Sequence, residues 1–75
     1  MNPSLIESRT VLIADLNPFN IEASIRAAIN YYREVYGEPK RVWVNPKGVS
    51  DDIQIVDGFK IERRGGCCKG KVMCL

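Results

Sequence analysis

The chain has 75 residues, 45% hydrophobic and 27% charged, with a net charge of +2. These proportions exclude a disordered or collagen-like chain. The longest uninterrupted apolar runs, Val11 to Ala14 and Val72 to Leu75, are far shorter than the roughly 20 residues of a membrane helix. The opening Met-Asn-Pro-Ser-Leu-Ile-Glu lacks both segments of a secretory signal, so a cytoplasmic protein with no membrane partner is expected. Domains below roughly 70–80 residues usually lean on disulfides, a metal or self-association. Three cysteines is an odd count, and a reducing compartment keeps them as thiols, which leaves homo-oligomerisation as the expected support.

Residues 1–9 show no period and read as a short frayed arm within one small domain, 1–75. Thr10 to Asp15 is a continuous apolar run and predicts a strand covered on both faces. Asn17-Pro18 then predicts a helix start, with Asn17 as cap, Pro18 at the first position, and Leu16 stapled to Ile21. Ile21, Ile25, Ala28, Ile29, Tyr32 and Tyr36 recur at helical spacing, and Gly37 with Pro39 ends the helix at about Tyr36. Arg41 to Asn45 predicts a second strand, parallel to the first, followed by a turn at Asn45–Gly48.

From Ile53 onward the pattern is that of hairpins. A two-residue turn at Asp57-Gly58 would put Ile53 and Ile55 on the face of Lys60 and Glu62. A three-residue loop pairs Ile55 with Phe59 and Ile53 with Ile61, and this register is the one expected. A second turn at Gly65-Gly66 completes a three-stranded meander with Ile53, Ile55, Phe59, Ile61, Cys68, Val72 and Cys74 facing the core. The competing reading is a short helix from Asp51 to Val56 capped by Ser50. The expected fold is therefore α+β, in the order β-α-β-β-β-β, with one long helix on a mixed sheet and a C-terminal meander.

Residues 11–22, Val-Leu-Ile-Ala-Asp-Leu-Asn-Pro-Phe-Asn-Ile-Glu, resemble the opening of a response-regulator receiver domain. The resemblance implies an acidic pair at a strand end that helps bind Mg²⁺. Asp15 matches the first acid, whereas Leu16 stands in place of the second, and the later Asp and Lys do not follow in order. A well-capped strand-to-helix junction accounts for the same residues.

The chain has no histidine, which removes Ser-His-Asp and Cys-His catalysis and every Cys/His zinc pattern. No glycine-rich phosphate loop follows the first strand. No catalytic, metal or cofactor site is expected. Among the cysteines, Cys68 and Cys74 read as small core hydrophobes and Cys67 as an exposed, reactive thiol.

Charge divides the chain. Residues 1–57 hold six basic and eight acidic side chains, whereas the remainder sets Lys60, Arg63, Arg64, Lys69 and Lys71 against Glu62. Those five cations form the candidate nucleic-acid surface, as phosphate contacts without an aromatic platform for bases. Trp43 lies between Val42 and Val44 on the opposite strand face and is the candidate interface anchor, with Arg41 and Val44 beside it on an edge strand. The leading expectation is a non-enzymatic interaction module that forms a twofold homodimer or binds another protein. The alternatives are a nucleic-acid-binding accessory protein and a metal- or redox-responsive protein using the C-terminal cysteines.

Overall fold

The structure, a computed structural model, describes residues 11–75; the expected arm at 1–9 and the strand residue Thr10 lie outside them. The elements are β1 (Leu12–Asp15), α1 (Ile21–Tyr36), β2 (Val42–Val44), β3 (Ile55–Val56), β4 (Phe59–Arg63) and β5 (Lys71–Cys74). One helix packs on a mixed five-stranded sheet, the α+β arrangement expected.

The helix forms because its apolar stripe has somewhere to go. Ile25, Ala28, Ile29 and Tyr32 are buried against the sheet, and the residues between them are largely solvated. Its start lies three residues beyond the expected one. Asn17 folds its side chain back to accept the Phe19 amide at 3.0 Å, and its carbonyl accepts the Asn20 amide at 2.9 Å, so Asn17-Pro18 makes a turn. Asn20 is the cap instead, its side chain accepting the Ala23 amide at 3.4 Å. The expected staple is lost with the shift: Phe19 now precedes the cap and is fully solvated, while Leu16 drops into the core. At the other end the Gly37 amide donates to the Arg33 carbonyl with φ at +99°, and Tyr36 lies exposed against the Tyr32 ring.

The sheet runs β1-β5-β2-β4-β3. β5 is antiparallel to both β1 and β2, so the two strands joined by α1 are parallel, as expected, but have β5 between them. The C-terminal meander does not form. β4 pairs with β2 in parallel, and the segment 64–70 carries the chain across the end of β2 to its other side. The Arg64 amide donates to the Val44 carbonyl at 2.8 Å at that crossing. The gain is that β2, whose valines are completely buried, has a hydrogen-bonding neighbour on each edge. Among the described residues β1 is correspondingly an edge strand, and of its side chains Leu12 and Ala14 face the core; Val11 and Ile13 are exposed, which corrects the strand covered on both faces.

The hairpin register also differs from the expected one. Val56 pairs with Phe59 and Ile55 with Lys60, across a two-residue turn in which Asp57 and Gly58 both have positive φ (54° and 85°). Such turns match the right-handed twist of the strands, and Asp-Gly is among the few dipeptides that adopt them cheaply. Turn chemistry therefore outweighs face matching: Val56 is 1% exposed and Ile55 68%. Ser50 caps only a turn, accepting the Asp52 amide on its hydroxyl at 3.2 Å and the Ile53 amide on its carbonyl at 3.1 Å; the short helix does not form.

Candidate interaction face

α1 covers one side of the sheet, and the chemistry of interest lies on the other. Alternation along β2 sends Val42 and Val44 into the core and Trp43 outward. The register then lines up Ile13, Met73, Trp43 and Glu62 as one row across β1, β5, β2 and β4. Three of the four are apolar. Of the candidate interface residues, Trp43 and Arg41 are on this face, whereas Val44 is fully buried and is removed from it. β2 is an inner strand, so the expected contact along its edge is excluded as well.

Trp43 is half-buried beneath Arg64, whose guanidinium carbon sits 4.7 Å from the ring centroid. Its indole Nε1–H is shielded from water and has no hydrogen-bond partner. Beside the ring opens a groove of about 440 Å³ lined by Trp43, Arg64, Gly65, Gly66, Cys67 and Met73. That volume lies within the roughly 300–1,000 Å³ usual for ligand sites. Compared with family models, curated proteins and solved structures, the chain matches none of them.

Most of the cations expected to form a basic surface arrive on this same face. Lys60 lies opposite Ile55, Arg64 stacks on Trp43, and Lys71 bonds to Asp15 across the β1–β5 pair. Lys69 is exposed in the loop before β5. Arg63 is the exception. It turns to the other side and clamps the loop before β3, donating to the carbonyls of Ser50 at 2.6 Å and Ile53 at 2.8 Å, so its role is structural. The carboxylate of Glu62 sits between Arg41 at 3.1 Å and Arg64 at 3.3 Å. Partial loss of water pushes its pKa up, but hydrogen bonds from both arginines and their charges outweigh this and hold it below the usual carboxylate range. The hydrogen bond and charge of Asp15 push the Lys71 ammonium pKa up. Asp15 is thus an ion-pair partner in the sheet, without the neighbouring acid that the receiver-like segment would require.

The cysteines exchange their expected places. Residues 64–70 are turns, not strand, so alternation does not apply to them: Cys67 is buried and Cys68 exposed. Asn45 holds this loop, its amide donating to the Cys67 carbonyl at 2.6 Å while its side-chain oxygen accepts the Lys47 amide at 2.8 Å. Burial, with the neighbouring Cys68, raises the Cys67 thiol pKa despite the opposing charge of Arg64, so the thiol expected to be exposed is buried and less readily ionised. Cys74 lies in the core, where burial lifts its pKa to about 11. Among the described residues, no three His, Cys, Asp or Glu side chains gather to hold a metal.

Met73, Ile13 and the Gly65-Gly66 pair were not singled out from the sequence as site residues. Met73 could have been, because alternation places it on the face of Lys71; the two glycines were absorbed into an expected turn.

Proposed function

We propose that this chain is a non-enzymatic interaction module that docks a partner on its open sheet face, with Trp43 as the anchor. The observation that carries this is the apolar row Ile13–Met73–Trp43, left uncovered by α1 and rimmed by charged side chains. Large aromatic side chains in such a setting supply contact area at small entropic cost, and a polar rim is the usual surround of a binding centre. Three free thiols suit the reducing cytoplasm. Among the described residues no helix is long and apolar enough to cross a membrane. A photo-crosslinking residue placed at Met73 should form adducts with a macromolecular partner in cells, and the same residue at solvent-facing Ala27 on α1 should not. Equal yields at the two positions would refute the reading.

Self-association is a second reading, favoured by a different feature. β1 has a hydrogen-bonding neighbour on one side only among the described residues, and Val11 and Ile13 are exposed along it. An unprotected edge invites pairing, and a twofold dimer that joins β1 to β1 would leave the Trp43 groove free. Light scattering across a hundredfold dilution should show a dimer that Ile13→Lys dissociates. A monomer mass throughout would exclude it.

A further inference from the structure

The charge of the open face selects among partners. Among the described residues it presents Arg41, Lys60, Arg64 and Lys71 against Asp15 and Glu62, with Lys69 just beyond; Arg41 and Arg64 share Glu62, Lys71 pairs with Asp15, and Lys60 adds to the cationic surplus. The acids of the helix and of the segments around β3 are Glu22, Glu34, Asp51, Asp52 and Asp57, of which Glu22, Asp51 and Asp57 pair with Arg26, Arg63 and Arg33, so no cationic surplus comparable to that of the open face arises there. A twofold copy set face to face would bring cations against cations, whereas an anionic partner is attracted. Flatness is the second constraint. The indole of Trp43 with Met73 beside it forms a floor for a planar group, and Gly65 and Gly66 wall the groove without side chains, leaving room for a ligand beside them. A repeated anion that also carries planar rings is a single-stranded nucleic acid.

We infer that the open face binds single-stranded nucleic acid, with one base stacked on Trp43 and the phosphates tracked by Arg41, Lys60, Arg64, Lys69 and Lys71. This rests on the reading of the open face as the docking surface. The Arg64 side chain is half-exposed and linked to Glu62 by one bond at 3.3 Å, so it can swing from the ring to a phosphate as the base enters. A duplex, whose bases are already stacked, cannot use Trp43 in this way.

The test titrates the full chain with a 12-nucleotide oligo-U, an oligo-dT of equal length and a matched duplex, following anisotropy and the emission of the single tryptophan. Both single strands should bind in the micromolar range at about 50 mM salt and quench the emission. Raising salt to 200 mM should weaken binding by about 130-fold, as expected for about five phosphates neutralised on a single strand. Trp43→Leu should weaken binding roughly tenfold or more without changing the salt slope, and Arg64→Gln should lower the slope. Circular dichroism confirms that each variant is folded, and Arg64→Gln, which removes no packed core atom, keeps the test decisive if Trp43→Leu unfolds. Failure of single strands to bind at 50 mM salt, or duplex binding of equal strength with unchanged emission, overturns the inference. Capture of an acidic peptide in place of the oligonucleotides would also overturn it. Crosslinking specific to Met73 would then still stand for a docking face with a different partner, whereas loss of that specificity as well would remove both.

Discussion

Val56 and Ile55 are adjacent, both β-branched and both in β3, yet Val56 is 1% exposed and Ile55 68%. Replacing each in turn with threonine keeps β-branching, so intrinsic strand preference changes little and the environment decides the outcome. Val56→Thr is nearly isosteric and exchanges a buried methyl group for a hydroxyl. Mutational data price such a burial at roughly 1–3 kcal/mol when no partner compensates, and we take about 2 kcal/mol here. Ile55→Thr exposes less apolar surface and should stay within about 0.5 kcal/mol. For a domain of this size each kcal/mol moves the melting temperature by about 4–8 °C, so Val56→Thr should melt about 8–16 °C lower and Ile55→Thr within a few degrees of the parent. Thermal denaturation by circular dichroism, supported by urea midpoints at constant slope, measures both. An Ile55→Thr loss equal to or greater than that of Val56→Thr would refute the two-residue turn and restore the pairing of Ile55 with Phe59.

Gly58→Ala should cost about 1 kcal/mol in urea denaturation; φ is +85° and no atom lies near the added methyl, so the whole effect is backbone strain. The fold should weaken in alkali. Cys74 keeps its proton up to about pH 11 when folded and releases it near the ordinary thiol value when unfolded, so stability present below about pH 9 is lost as pH rises through 11. The loss should be roughly 3 kcal/mol in a pH series of urea midpoints, and Cys74→Ala should reduce it although it starts less stable. In thiol labelling followed by peptide mapping, Cys68 should react first, with Cys67 and Cys74 labelled only on unfolding. Faster labelling of Cys67 would overturn the loop geometry.

The helix was legible in the sequence because Ile25, Ala28, Ile29 and Tyr32 state its period four times, and the sheet they cover could be inferred from the strands on either side. Its start was ambiguous because Asn17 and Asn20 are both competent caps, and the local bond from Phe19 to Asn17 settles between them. The hairpin register turned on two signals in conflict, matched apolar pairs against the Asp-Gly turn, and reading the faces first gave the wrong one. Strand order was not legible. β4 and β5 lie in succession with glycines between them, which is the local signature of a hairpin; what separates them is the burial of Val42 and Val44, a nonlocal demand. The open face followed the same division. Alternation alone put Trp43 outside, but its meeting with Lys60, Arg64 and Lys71 depends on β2 lying between β4 and β5.

That insertion of β5 also sets the order of events during synthesis. β1 finds its only described neighbour in β5, through pairs such as Leu12 with Cys74, so its ladder cannot close until residue 74 has left the ribosome. At about 5–20 residues per second the apolar segment Val11–Ala14 waits roughly 3–12 s without its partner strand. Such long-range closure slows folding, and it leaves a short, uncharged, strand-forming segment exposed while it waits.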